Sequence, residues 1–321
     1  MTPVDDRLST HFVALVQGIM SGGVAWFLGA GASAYARPRS APWTPESSFP
    51  PLAGELAAHL ARRFEYPVEE GDAQPDVFRV AAYTSIVAGR GVLYHHLRRL
   101  LDRDLELTGV HRLIAELPAR LRDRDHPMPH QLVITTNWDD CMERAFREAG
   151  EPVDVVWYVA DGPNRGKFIH RIYQGEVRTI DDNFRYRDLD LDRRSLVIKP
   201  HGSVDRFDAR RDSYVVTLDD YIEYLTRADV SVLLPLNLVE KLYESAFLFL
   251  GYGMRDANLL VMLHRIARER RLGTRSWAVQ WPVNTVDRLL WRERDVDVIQ
   301  AELGDYIQEL EARLNAQGAS A

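Results

Sequence analysis

The stretch VAWFLGAGASAYARP, Val24–Pro38, decides how the rest of the chain is read. An apolar run from Val24 to Leu28 that stops at Gly29 and Gly31 suits a buried strand delivering the chain into a turn where only hydrogen fits on Cα. If a helix follows, its unpaired N–H groups and positive dipole end favour an anion, and phosphate is the natural guest. The spacing Gly29-x-Gly31-x-x-Ala34 also satisfies the relaxed dinucleotide fingerprint. The same residues suit a tight strand-to-helix turn whose small side chains serve packing, and the stretch alone does not choose. An ordinary dehydrogenase half-domain would place a second strand ending in an acid about twenty residues on, to hold the ribose. Here residues 37–51, RPRSAPWTPESSFPP, carry five prolines and cannot form a helix leading into a buried central strand.

The 321 residues suffice for one large domain with insertions or two modest ones, and a hydrophobic fraction of 46% supports a real core. The net charge of −7 is spread over stretches such as LRRLLDRDLE and ARLRDRDH, which interleave both signs as solvated helix faces do. Direct nucleic-acid binding is therefore not expected. A single cysteine, Cys141, excludes an internal disulfide and a zinc site built from several thiolates. With no charged-then-apolar leader and no apolar run of membrane-spanning length, a cytoplasmic location without membrane attachment is expected.

Strand signals recur at 24–28, 131–135, 153–158, 195–199, 246–250, 276–280 and 295–299. They are short, apolar on both faces and separated by helix-sized segments, which predicts an α/β, Rossmann-like, mainly parallel sheet with helices on both faces. Residues 40–128 read as a mostly helical insertion, and the polar segment 161–192 as a loop or small excursion on the rim.

Ligands of open α/β sheets lie beyond the carboxyl ends of the strands. At those ends stand Thr136-Asn137-Trp138-Asp139-Asp140, Pro200-His201-Gly202-Ser203 and Gly251-Tyr252-Gly253-Met254-Arg255-Asp256. Each has a plain structural reading. Asn137 suits an N-cap for the helical face Met142, Ala145, Phe146 and Ala149; His201 suits a tight turn; Gly251 and Gly253 suit another. Together, opposite the glycine turn, they suggest one site.

The ordered set Gly29-Ala30-Gly31-Ala32-Ser33, Thr135-Thr136-Asn137-Trp138-Asp139, Lys199-Pro200-His201-Gly202 and Gly251-Tyr252-Gly253 with Asp256 resembles the sirtuin-like domain over about residues 20–300. The likeness is to sirtuin-like domains of bacterial anti-phage defence systems, which hydrolyse NAD+ and often work with a partner protein. It implies a single sirtuin-like domain over 1–321. Protein-deacetylating sirtuins carry a four-cysteine zinc ribbon and a Gly-Ile-Pro-Asp-Phe-Arg type segment after the glycine turn. This chain has neither, so deacetylation and a bound metal are not expected.

By the same resemblance, Asn137 holds the ribose and a water near the reacting carbon, Asp139 orients the nicotinamide side or supports the developing positive charge, and His201 acts as a base. Gly29, Ala30, Gly31, Ala32 and Ser33 cradle the diphosphate; Thr136, Gly251, Tyr252, Gly253 and Asp256 complete the cofactor contacts. The implied reaction is NAD+ glycohydrolysis to nicotinamide and ADP-ribose, by an anti-phage effector acting through NAD+ depletion. A homo-oligomer and a separate activating protein, such as a HerA-type hexameric ATPase, are the implied partners. ADP-ribosyl transfer and a regulatory subunit that binds NAD or ADP-ribose without turnover remain the alternatives.

Overall fold

A computed structural model describes residues 3–67, 76–124, 126, 129–227, 233–253 and 275–317, with side chains described from Leu8 onward except at residues 227 and 317. The helices are α1 (Pro3–Met20), α2 (Ala30–Ala34), α3 (Ala53–Arg63), α4 (Val77–Val87), α5 (Arg90–Leu101), α6 (Gly109–Arg122), α7 (Cys141–Glu148), α8 (Leu218–Arg227), α9 (Leu236–Glu244), α10 (Thr285–Arg292) and α11 (Leu303–Gln317). The main-sheet strands are β1 (Val24–Leu28), β2 (Leu132–Thr135), β3 (Val153–Tyr158), β4 (Phe168–Arg171), β5 (Val177–Ile180), β6 (Ser195–Lys199), β9 (Ala246–Leu250), β10 (Ser276–Gln280) and β11 (Val296–Gln300). A short hairpin, β7 (Gly202–Ser203) with β8 (Ser213–Tyr214), stands apart.

The strand order is β11-β10-β9-β1-β2-β6-β3-β4-β5, parallel from β11 through β3 and antiparallel at the β4–β5 end. This is the expected Rossmann-like α/β architecture. Alternation along β1 divides the core. Val24, Trp26 and Leu28 face a layer of α1, α6, α7 and α11, while Ala25 and Phe27 face α8, α9 and α10. Both faces are covered, which is why every residue of β1, β2 and β6 is buried and the strands read as unbroken apolar runs.

Within 40–128, helices α3, α4 and α5 form a separate apolar cluster that packs against Trp138, Val204, Tyr214 and Val216. Helix α6 instead belongs to the layer on the sheet. In 161–192, the sequence reading lacked the β4–β5 hairpin, which extends the sheet edge. Its outer strand, VRTI, has a mostly exposed or half-buried surface and so carries a weak apolar signal.

Register places the site. Leu28 pairs with Thr135 on one side and Leu250 on the other, so Gly29, Thr136 and Gly251 leave the sheet side by side. Ile134 pairs with Ile198, and Val279 with Leu250, which brings Pro200–His201 and Gln280–Trp281 to the same rim. The chain crosses to β2 on one side of β1 and later enters β9 on the other: this rim is the topological switch point.

Candidate active site

The two glycine turns are packed on each other. Gly29 N–H donates to Leu250 O (3.0 Å), Gly31 N–H to Gly251 O (3.0 Å) and Ala32 N–H to Gly29 O (2.9 Å). A Cβ on Gly29 or Gly31 would stand 2.6 or 2.8 Å from Gly251 O; one on Gly251, where φ is +73°, would stand 2.0 Å from Ala32 N. Close backbone approach therefore accounts for these glycines in this conformation. Three of the amides expected to cradle a diphosphate are engaged within the fold. Tyr252 lies buried against Phe27 and Phe249, its hydroxyl 2.9 Å from Thr136 Oγ1. Gly253 is exposed, and Asp256 lies outside the described residues.

Asn137 does not cap α7. Its Nδ2 donates to Gly29 O (3.1 Å) and Ser33 Oγ (3.0 Å), pinning the β2 turn to the glycine turn. Both amide hydrogens are thereby spent, and Oδ1 remains as the acceptor. The start of α7 is served by Asp139, whose Oδ1 accepts from Cys141 N–H at 3.1 Å. Asp139 is buried there.

Ser33 is held from a second direction. Thr108 and His111 make a reciprocal cap at the start of α6, with Thr108 N–H donating to His111 Nδ1 at 3.1 Å. Burial pushes the His111 imidazole down to about 4, so it is neutral at pH 7. With Nδ1 accepting, the ring proton resides on Nε2 and donates to Ser33 Oγ at 3.2 Å. Ser33 Oγ thus accepts from both His111 and Asn137, and its own proton is left to donate. Thr108 Oγ1 closes the group by donating to Ala32 O at 2.8 Å. Sequence reading missed His111, although Thr108-x-x-His111 has capping-box spacing.

His201 is buried, lies edge-on to Tyr224 and precedes Gly202, whose φ is +88°. Burial lowers its pKa to about 3, so it is a neutral, weak base rather than one poised near 6.5. Trp138 Nε1 donates to His201 O at 2.9 Å, tying the residue after Asn137 to the β6 turn. Beneath them Lys199, fully buried, donates from Nζ to Asp139 O and to Glu143 Oε1 at 2.8 Å. Burial and the Glu143 charge raise the neighbouring Asp140 to about 6.

The structure therefore brings together Gly29, Ser33, Thr136, Asn137, Gly251 and Tyr252, with His201 linked through Trp138. Among the described residues, no group of three or more His, Cys, Asp or Glu could hold a metal ion, and no helix is long and apolar enough to cross a membrane.

Comparison with known proteins gives the family. The chain is 26% identical over 229 residues to the NAD(+) hydrolase ThsA of Enterococcus faecium, an alignment covering 70% of this chain and 37% of that protein. The chain thus spans well under half the length of that relative. The SIR2-like domain profile matches residues 131–299, over half of the chain, from the strand that delivers Asn137 to the last strand of the sheet. On that match, and with the glycine turn and Asn137 joined at the switch point, the chain belongs to the SIR2-like domain family.

Proposed function

We propose that the protein is an NAD+ glycohydrolase that releases nicotinamide and ADP-ribose. The observation that carries this reading is Asn137, whose amide hydrogens are spent on Gly29 and Ser33 so that Oδ1 is the polar atom left to accept. Family membership and the similarity to an NAD(+) hydrolase support it.

The leaving group is already a cationic pyridinium, so the reaction needs no general acid. It needs stabilisation of an oxocarbenium-like ribosyl cation and a positioned water. The C1′–N bond breaks with its electron pair going to nicotinamide, and a water oxygen bonds to C1′. In this reading Oδ1 of Asn137 accepts from the ribose or the water and presents the negative end of a neutral dipole to the cation. Ser33, fully buried between His111 and Asn137, holds the Asn137 amide in that orientation. Water adding to a cationic carbon becomes strongly acidic, so neutral His201 suffices to receive its proton despite a pKa near 3. Asp139, which also biases His111 electrostatically, supports the positive charge. NAD+ is the substrate, with the glycine turn toward its diphosphate and Thr136, Gly251, Tyr252, Gly253 and Asp256 on the cofactor side.

We further propose that the activity serves anti-phage defence by NAD+ depletion in the cytoplasm, in a homo-oligomer activated by a separate protein such as a HerA-type ATPase. Incubating the purified protein with NAD+ at several protein concentrations, alone and with such a partner, tests the core reading. The expected result is equal release of nicotinamide and ADP-ribose, lost in Asn137→Ala. ADP-ribose attached to protein or nucleotide instead would establish a transferase, and binding without turnover a sensor.

A further inference from the structure

An acid for the adenosine ribose is missing at its usual spacing after the glycine turn, where the proline-rich segment stands. The fold brings carboxylates to the corresponding place from the far end of the chain. A cavity of about 520 Å³ opens at the strand rim, between Gly31 and Gly251 on one side and the ends of β10 and β11 on the other. That volume suits one half of a dinucleotide. Gln300 pairs with Gln280, so the residues that follow, Ala301–Glu302 and Trp281, emerge next to each other on this rim. They line the cavity together with Asp305 in the first turn of α11.

Three features give the cavity its chemistry. Trp281 is 53% exposed, an unusual state for so large an apolar ring, and it forms a wall of the cavity. An aromatic face left open at a nucleotide-sized cavity is a platform for a base. Glu302 and Asp305 are two carboxylates, and Arg39 is the one cation lining the cavity among the described residues. Arg39 is already bound to Glu302 at 2.5 Å. Gln280, the remaining polar side chain of the β10 end, is held by Asp287 and Trp291.

Building on the proposed reading that the glycine turns meet an NAD+ diphosphate, the geometry points to this cavity as the determinant of dinucleotide choice. Trp281 stacks on the adenine, and Glu302 accepts from the adenosine ribose hydroxyls. Among the described residues the mouth carries two carboxylates against one guanidinium, which is already paired with Glu302, and this balance disfavours a 2′-phosphate. The protein acts on NAD+ and discriminates against NADP+. The carboxylate that a dehydrogenase half-domain supplies from its second strand comes here from the end of β11.

Titration calorimetry with ADP-ribose and with ADP-ribose 2′-phosphate tests this without requiring turnover. The wild-type protein is expected to bind ADP-ribose roughly tenfold or more tightly than its 2′-phosphate. Glu302→Gln/Asp305→Asn should narrow the ratio to about threefold or less, chiefly by improving binding of the phosphorylated ligand. Trp281→Ala should weaken both ligands by about tenfold and leave the ratio unchanged. Equal wild-type affinities, or a ratio unmoved in the double variant, would overturn the proposal. Discrimination without NAD+ cleavage would leave the proposal standing and remove the hydrolase reading; failure of both ligands to bind would remove both. Circular dichroism of each variant excludes misfolding as the cause.

Discussion

Asn137 and Ser33 form a pair in which each fixes the other. Nδ2 of Asn137 is bound to Ser33 Oγ, and His111 Nε2 to the same oxygen. Removing the hydroxyl in Ser33→Ala leaves Asn137 with one anchor, Gly29 O, and leaves the buried His111 Nε2–H without an acceptor. The expected effect on NAD+ cleavage is a fall in kcat of about tenfold or more with KM nearly unchanged, because the loss is one of orientation at the reacting centre. Steady-state kinetics with nicotinamide release as the readout decides it. Asn137→Ala should cost about a hundredfold or more. The sequence singles out both residues, since each follows a strand end, but not the hydrogen bond that joins them. His111 was not legible. Its spacing from Thr108 marks a helix start, and its meaning arises only when α6 packs back on α2 from some eighty residues away, the Ser33–His111 separation being 78.

At the level of elements, the site is a set of turns held in register by contacts below it. Lys199 at the end of β6 reaches under the β2 turn to the carbonyl of Asp139 and the carboxylate of Glu143 on α7. A fully buried ammonium is costly unless its donors are satisfied, and here they are used to fix the loop that carries Asn137. Lys199→Met keeps most of the volume and removes these bonds. It should lower both the melting temperature and kcat, the latter by about tenfold or more, with Glu143 left as a half-buried charge without its Lys199 partner. Glu143→Gln in the same background should recover stability but not kcat; recovery of both would show that the clamp serves folding alone. Glycine packing is the second device. Gly251→Ala places a methyl 2.0 Å from Ala32 N at a positive φ and should destabilise the fold by ~3 kcal/mol or more, read as the shift in urea midpoint. The parallel strands were legible because burial on both faces makes them unbroken apolar runs. The β4–β5 hairpin was not, because an edge strand with exposed polar residues resembles a loop in composition.

Across the whole molecule, buried and half-buried histidines set the response to acid. His11, His96 and His111 are each lowered to about 4, and His201 to about 3, with burial as the leading cause. In the unfolded chain these groups titrate near 6.5, so between pH 6.5 and 4 the unfolded state binds more protons than the native state. Stability from these groups is therefore complete above pH 6.5 and is lost as pH falls toward 4. Asp140 works in the opposite direction: burial raises it to about 6, so the native state takes up its proton first, and this group favours folding as pH drops below 6. Burial also lowers His59 and His130 and raises Asp212, so the lowered histidines outnumber the raised carboxylates, and the urea midpoint should fall steadily from pH 7 to pH 4.5. Two variants separate the contributions. His11, whose Nε2 lies 2.7 Å from the Tyr306 hydroxyl and so joins α1 to α11, stands apart from the candidate site, and His11→Gln should flatten the pH dependence. Asp140→Asn removes an opposing group and should steepen it. A midpoint independent of pH over this range in the wild-type protein would mean that the four histidines are not kept neutral by the fold, and the tautomer of His111 that orients Ser33 would lose its basis.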